Sequence, residues 1–430
     1  MNEATMEQEF VAYIGVDWGD DQHHVSLYEP GHRRVERLVL KHTAEGVHSW
    51  LKGLHERFGG RPVALGLETS KGPLIGALYE YLHWCTVYPI HSTTTARLRE
   101  AFKPSGAKDD RPDADLNLEV VMSHRHKLRP LQLEDETTRV LDGLTQFRRC
   151  VVDQRTEVTN RLQATLKEVF PQALSLVGSG LNTIMALDFL ERWPDLAKLK
   201  MARPSTIRSF YYAHNVRQSE VIEERIQLIK EAVFLTKDQV LLQLAQIRIK
   251  VLVEQIRVLQ KEVVEVEKQI KTLFATHPEA PLFEDLPGAG DAMAPRLLAL
   301  FGTDRSKYPQ AASMQKYTGV APVKEASGAQ VWIHWRRHVP VFSRQTLVEW
   351  AGQTVIYSQW AKDYYDYYKA KKKSHHVILR ALAFKWLRVL WRCWQDRVPY
   401  DEARYMQALR AKNVPYLRAE GFAKTTASKT

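Results

Sequence analysis

The chain has 430 residues, enough for two or three domains, and its 44% hydrophobic content with eleven Trp is ample for real cores. The 61 Lys and Arg against 50 Asp and Glu leave a net charge of +11, which suits either a polyanionic partner or a basic protein kept in solution by its charge. Cys85, Cys150 and Cys393 are too scattered for a zinc site or a disulfide framework, the acidic Met1-Asn2-Glu3-Ala4 start lacks an apolar signal core, and no apolar run is long enough to span a bilayer, so a cytoplasmic chain without a membrane partner is expected.

Residues 10–125 read as mixed α/β. Strands are expected at 11–17, 24–29, 35–40, 63–68 and 85–89, and helices at 44–58, 72–83, 93–102 and 110–123. The first and fourth strands are near-continuous apolar runs, as buried central strands should be. Three strands, a helix, a strand, a helix, a strand and a helix is the order found in the RNase H-like fold. A polar linker follows around 129–136. Helical periodicity then runs through Val140, Leu144, Phe147, Val151, Val158, Leu162, Leu166 and Val169, and ends at Phe170-Pro171.

Residues 242–273 carry an unbroken heptad pattern, with Leu242, Ile249, Ile256, Val263 and Ile270 at a and Ala245, Leu252, Leu259, Val266 and Leu273 at d. β-Branched residues at a with Leu at several d positions favour a parallel two-stranded coiled coil. An antiparallel pairing with the 137–169 helix inside one chain is the alternative. Residues 277–281 read as a linker, 282–396 as a second compact domain rich in Trp, Tyr and Arg, and 413–430 as a disordered polar tail. The predicted domains are therefore 10–128, a helical and coiled-coil segment at 129–276, and a mainly helical domain at 282–396.

Four carboxylates stand out against this layout. Asp17 ends the run Tyr13-Ile14-Gly15-Val16, and Glu68 ends Val63-Ala64-Leu65-Gly66-Leu67. Asp110 and Asp113 lie three apart, which puts them on one helical face. Acids at the ends of adjacent buried strands and on one helix face can converge on Mg²⁺, a hard ion that takes oxygen ligands and substrate phosphates. Such a site polarises a scissile phosphodiester and stabilises its leaving oxyanion. Each acid alone is weak evidence, since Asp110 or Asp113 could cap a helix and a Gly-x-Asp-x-Gly strand end also opens actin-like kinases. Asp20, Asp21, Asp109 and Asp115 read as solvated or supporting acids.

In the second domain, Gly288 and Gly290 in Leu286-Pro287-Gly288-Ala289-Gly290, ahead of a helix at 292–300, resemble a helix-hairpin-helix turn that lets backbone N–H groups approach phosphate. An ordinary Pro-Gly turn is the alternative, and Asp291 would oppose an anion there. Trp332, Trp335, Arg336 and Arg337 could track a backbone and stack on unpaired bases. Between 369 and 392, cations including Lys371, Lys372, Lys373, Arg380, Lys385 and Arg388 alternate with Leu379, Leu382, Trp386 and Leu390. That pattern gives a helix packed on one side and cationic on the other, with a solvated basic face as the alternative to phosphate binding. The nearby tyrosines, Tyr364 among them, read as packing.

These residues resemble the DEDD-type insertion-sequence transposases, the family of bridge-RNA-guided recombinases. The resemblance rests on Gly15-Val16-Asp17, Glu68-Thr69-Ser70 and Lys108-Asp109-Asp110-Arg111-Pro112-Asp113-Ala114, where the family usually writes Lys-Thr-Asp-Arg-x-Asp-Ala. It continues through Arg148, Arg155 and Asn160-Arg161-Leu162, then Leu286–Gly290, Tyr317-Thr318-Gly319-Val320-Ala321-Pro322 and Ala326-Ser327-Gly328, while Val339–Arg344 departs from the Gly-rich family pattern. The resemblance implies a RuvC-like first domain with Asp17, Glu68, Asp110 and Asp113 as Mg²⁺ ligands, and Ser327 as the nucleophile of the C-terminal domain. It also implies donor and target DNA as substrates, a non-coding bridge RNA as guide, and a homo-oligomer, a dimer through the coil or a tetramer. A plain RNase H-like nuclease or Holliday-junction resolvase acting by hydrolysis would need the acids but not Ser327. A sugar or acetate kinase would need a second phosphate-binding Asp-x-Gly-x-Thr turn, which the chain lacks, and a non-catalytic nucleic-acid-binding protein would need no acid at all.

Overall fold

A computed structural model describes residues 10–68, 72–102, 110–178, 180–328, 330–337 and 339–417. The chain divides into two compact units, Met1–Leu133 and Glu134–Thr430.

The first unit is a mixed sheet with helices. Its strands are β1 (Ala12–Asp17), β2 (Gln22–Tyr28), β3 (Glu36–Lys41), β4 (Val63–Leu67) and β5 (Cys85–Pro89), and its helices α1 (Ala44–Phe58), α2 (Pro73–Leu78), α3 (Ser92–Phe102) and α4 (Asp110–His124). The sheet order is β3-β2-β1-β4-β5, with β1 and β2 antiparallel, β2 and β3 antiparallel, and β1, β4 and β5 parallel. Every residue of β4 is buried, because it sits between two strands and is covered on both faces. β3 is the opposite case: only Leu40 is buried, and its charged residues blunt an exposed sheet edge. The predicted helix at 72–83 stops earlier as α2 and continues as a 3₁₀ turn over Tyr79–Tyr81.

One pair of glycines sets the position of α4. Gly15 of β1 and Gly66 of β4 are register partners in the parallel ladder. A Cβ at Gly15 would lie 2.1 Å from the Ala114 carbonyl oxygen and 2.3 Å from the Leu118 nitrogen; one at Gly66 would lie 2.3 Å from Val121 Cγ2. The absence of side chains on both strands makes a trough, and the α4 backbone lies in it.

The second unit is helical apart from one hairpin. α5 (Glu136–Val169) leads into α6 (Gln172–Leu176), α7 (Ile184–Arg192), α8 (Leu196–Lys200), α9 (Pro204–Ala213) and α10 (Ser219–Glu231), and then α11 (Gln239–Ala275) returns. α12 (Gly290–Phe301), α13 (Ala311–Tyr317), the hairpin β6 (Val323–Ser327) and β7 (Gln330–His334), α14 (Val341–Tyr357), α15 (Gln359–Ala370), α16 (His375–Asp396) and α17 (Glu402–Ala411) complete it. The indoles of Trp350, Trp360, Trp386 and Trp394 are fully buried, and each N–H finds an acceptor: the Pro287 carbonyl, the Tyr400 hydroxyl, the Thr354 hydroxyl and the Gly302 carbonyl respectively. Tyr364 is buried beside them, as its packing role requires.

Three expectations are corrected here. The apolar seam of α11 is covered by α5 of the same chain: Ala245, Ile249, Ile256, Val263, Val266 and Ile270 are all buried. Arg148 pairs with Glu267 and Arg248 with Glu168, so the start of one helix meets the end of the other and the pair is antiparallel. A heptad fixes which stripe is buried but not what covers it, and the intramolecular alternative occupies the stripe that a parallel dimer would need. Residues 277–281 are no exposed linker either. His277 is buried and bonded to the Thr138 hydroxyl at 2.9 Å, and burial lowers its pKa. Finally, the tail is packed as far as Leu417, with Tyr416 buried in the core; residues 418–430 lie outside the described residues.

Candidate active site and nucleic-acid surface

Asp17 is the last residue of β1, Glu68 follows the last residue of the parallel neighbour β4, and Asp113 lies in the first turn of α4. Carboxyl ends of adjacent parallel strands are where open α/β sheets form their crevices. The glycine trough brings α4 across those ends, which turns a spacing in sequence into proximity in space. Asp110 opens α4, and its side chain lies outside the described residues, as do Thr69, Ser70, Lys108 and Asp109.

The residue that joins the acids is Arg99 of α3, which the sequence did not single out. Its guanidinium binds Asp113 through two nitrogens, with Nε to Oδ1 at 2.8 Å. That hydrogen bonding raises the Arg99 pKa, and the charges of Asp113, Glu68 and Asp17 raise it further. One cation is therefore bound by Asp113 and lies within the field of Glu68 and Asp17. Among the described residues no three His, Cys, Asp or Glu side chains are grouped closely enough to hold a metal ion. The donor types are those a hard divalent ion takes, carboxylate oxygens, and one of them already pairs with a cation. Asp113 is buried, and Arg99 is its ion-pair partner.

Supporting residues fix this geometry. Asn117, one turn after Asp113, is fully buried; its amide donates to the Val16 carbonyl at 2.9 Å and accepts from the Thr95 hydroxyl at 3.2 Å. It ties α4 and α3 to the strand end that carries Asp17. His23 accepts from the Gly19 N–H through Nδ1, so Nε2 carries the proton and donates to His42 at 2.9 Å. Burial, reinforced by the charge on His42, lowers the His23 pKa to about 4. Asp115, expected to be solvated or supporting, accepts from the Ser26 hydroxyl at 2.6 Å and pairs with Arg37 at 3.0 Å.

Ser327 belongs to the second unit. It is the exposed last residue of β6, paired with Gln330 across the hairpin tip, where Gly328 has φ +58°. On the same hairpin Trp332 and Ile333 are exposed. Trp335 is half-buried, with the guanidinium of Arg344 4.8 Å and that of Arg380 4.5 Å from its ring. Arg336 is turned back toward the Ala321 carbonyl, and Arg337 is exposed. Lys371, Lys372 and Lys373 are exposed at the end of α15, with Lys371 over the Tyr367 ring at 4.2 Å. α16 has the two faces read from its pattern: Ile378, Leu382, Trp386 and Leu390 are buried, Arg388 is exposed and Lys385 half-buried. At the Pro-Gly turn, Gly288 and Gly290 have φ of +72° and +51°, and α12 starts at Gly290 itself. Gly288 is pressed against Gln353 and Tyr357, and Asp291 is paired with Lys271 at 3.0 Å.

Two family models match the chain. One, described as a transposase of the DEDD, IS110 type, covers residues 14–171; the other, the IS116/IS110/IS902 transposase family, covers residues 280–366. The putative transposase of the IS117 mini-circle of Streptomyces coelicolor is 24% identical, over 93% of this chain and 97% of that protein. An uncharacterized 43.6 kDa protein of insertion element IS110 from the same organism is 24% identical over 90% of this chain and 95% of its own length. A putative transposase, y4uE, of Sinorhizobium fredii is 27% identical over 48% of this chain and 57% of that protein. No helix among the described residues is long and apolar enough to cross a membrane. With both units matched by models of one family and its relatives aligned almost end to end, the chain belongs to the IS110/IS116/IS902 insertion-sequence transposases.

Proposed function

We propose that the first unit is an RNase H-like, RuvC-like nuclease module in which Asp17, Glu68, Asp110 and Asp113 hold Mg²⁺, and that Ser327 of the second unit is the nucleophile of DNA strand exchange. The observation that carries the reading is the ion pair of Arg99 with Asp113, placed where the charges of Glu68 and Asp17, at the carboxyl ends of β4 and β1, also act on the guanidinium. The strand order β3-β2-β1-β4-β5, with its antiparallel edge and parallel centre, supports the fold assignment. Bound Mg²⁺ supplies charge stabilisation at the scissile phosphate.

The chain's own residues do the rest. The Ser327 hydroxyl loses its proton and forms an O–P bond to the scissile phosphate, and a deoxyribose oxygen leaves and takes up a proton. Reversal with the hydroxyl of a second strand breaks the O–P bond and restores Ser327. One phosphodiester is lost and one gained, so rejoining needs no external energy source. Gly288, Gly290, Trp332, Trp335, Arg336, Arg337, the Lys371–Lys373 run, Arg380, Lys385 and Arg388 supply backbone and stacking contacts to donor and target DNA and to a bridge RNA. Those contacts position a strand without reading it, which leaves sequence choice to base pairing. A homo-oligomer, dimer or tetramer, would use a second apolar line on α11, where Val240, Leu244, Ile247, Val251 and Val258 are exposed at spacings of four, three, four and seven residues.

The test is strand cleavage with purified protein and element-end DNA. Asp17→Asn, Glu68→Gln and Asp113→Asn should each abolish cleavage in Mg²⁺ while DNA binding stays within about twofold. Ser327→Ala should lose the covalent protein–DNA adduct. Full cleavage by an acid variant removes that acid from the site, and unchanged hydrolysis by Ser327→Ala would establish the hydrolytic nuclease instead.

A further inference from the structure

α16, α17 and the segment after α17 enclose a cleft of about 930 Å³ in the second unit, remote in sequence from Ser327 and from the Trp335 stack. Its charges are unbalanced. Arg392 is taken by Asp396 at 2.5 Å, and Asp401 is occupied as the cap of α17, accepting from the Arg404 backbone N–H at 3.0 Å. Lys385, Arg388 and Lys412 then face the cleft with no carboxylate partner among the described residues. Lys385 is half-buried, and its ammonium lies 5.4 and 5.1 Å from the rings of Tyr364 and Tyr416. Burial lowers the Lys385 pKa, and the charges of Arg388 and Lys412 push it the same way. A second observation is independent of charge. The Tyr416 hydroxyl, in the lining of the cleft, is buried and has no hydrogen-bond partner. Three like charges without a counter-charge, beside an orphaned hydroxyl, make a positive cleft that an anion would complete.

We propose that this cleft binds one nucleotide of an unpaired nucleic-acid strand, its phosphate between Lys385, Arg388, Lys412 and the Tyr416 hydroxyl and its base against the apolar wall beside Tyr405. The volume is several times what a phosphate ion needs, and Val389, Val398, Pro399 and Leu409 give the rest of the cleft an apolar lining that a base can cover. Duplex DNA keeps its bases stacked inside and offers no single base to such a pocket, so the cleft selects unpaired strands. The proposal rests on the nucleic-acid reading above and adds to it a site for strands opened during exchange.

The experiment measures binding of full-length protein, in EDTA so that no cleavage occurs, to labelled 12-mers of single-stranded DNA, single-stranded RNA and duplex DNA. In the double variant Arg388→Ala/Lys412→Ala, affinity for an unpaired strand should fall about tenfold at 0.1 M salt, and the salt slope should shrink by about 0.7 for the one lost single-strand phosphate contact. Duplex binding, to which Arg388 adds a backbone contact but which does not use the cleft, should fall by about threefold at most. Tyr416→Phe, which keeps the ring and its packing, should weaken the same strand about threefold. Unchanged binding of both unpaired strands by the variants overturns the proposal, as does full displacement of the strand by 10 mM inorganic phosphate at constant ionic strength. Wild-type protein that binds none of the three probes overturns the transposase mechanism as well. Wild-type binding with indifferent variants removes the cleft alone.

Discussion

Gly15→Ala tests how the acid site is built. The added Cβ would sit 2.1 Å from the Ala114 oxygen, 2.3 Å from the Leu118 nitrogen and 2.8 Å from the Leu118 Cα. Ordinary contact needs about 3.5 Å, so α4 must withdraw by about 1.4 Å or the sheet must bend by as much. All three opposing atoms are backbone, and no rotamer change relieves them. Overpacking of this kind costs about 1–3 kcal/mol, and the rigid neighbours place it near 3. For a unit of this size that lowers its melting temperature by roughly 10 °C.

The functional cost is larger than the stability cost. Asp113 rides on α4, and a displacement of about 1 Å at a catalytic group lowers rate by about 100-fold. Calorimetry of the full chain should show the early loss of one transition, and single-turnover cleavage below that temperature should show the rate effect. Gly53→Ala is the control: Gly53 is in α1 with nothing within 4 Å, so the substitution should stabilise by about 0.5–1 kcal/mol. Wild-type melting and cleavage within threefold of wild type in Gly15→Ala would refute the claim that close approach of α4 to β1 sets the site.

Two further predictions concern charge. Arg99→Gln removes the cation that Asp113, Glu68 and Asp17 share, so the Mg²⁺ concentration for half-maximal cleavage should drop several-fold; a higher Mg²⁺ requirement would show that Arg99 organises the acids rather than competing for them. His23 has a folded pKa of about 4, below its unfolded value of about 6.5, so the unfolded chain binds the extra proton between those limits. Its contribution to stability is complete above pH 6.5 and lost as pH falls toward 4. The His23 ring resonance should therefore stay in its neutral position until near pH 4, and titration near 6.5 would show that the loop after Asp17 is not sealed as described.

Most of the first unit was legible because its two central strands are apolar throughout and end in acids. A buried strand must have apolar residues on both faces, and the first polar residue after it marks where the crevice starts. Glu68 and Asp17 are those residues. Arg99 was not legible, since a cation on the polar helix Ser92–Phe102 gives no sign of which carboxylates it meets across the sheet. Asn117 and Gly66 were missed for the same reason: their roles are relations between elements, and only Gly15 drew notice, as part of a motif. In the second unit the heptads of α11 fixed the buried stripe correctly, while its partner followed from packing that no single helix encodes. The helices between Gln172 and Glu231 are short, from Gln172–Leu176 to Ser219–Glu231, and each supplies part of a core shared with α5 and α11, so no single one carries a long period. His277 was misread as linker because its flanking residues are polar and its bond to Thr138 spans 139 positions.

The two groups proposed to react are held in opposite ways, and this bears on how the proposed strand exchange would be controlled. Asp17, Glu68 and Asp113 sit on strand ends and a helix locked by register, by the Gly15–Gly66 trough and by Asn117. Ser327 sits at the tip of an exposed two-stranded ribbon, paired with Gln330 of the same ladder. Such a ribbon is marginally stable in isolation. A rigid acid site can be ready before substrate arrives, whereas a serine on a ribbon tip gains a defined position only when something packs on the ribbon. The exposed Trp332 and Ile333 on that ribbon are suited to that packing. Trp332→Ala should therefore reduce covalent adduct formation through Ser327 far more than it reduces metal-dependent nicking, and equal losses in both would mean that the ribbon is ordered without substrate.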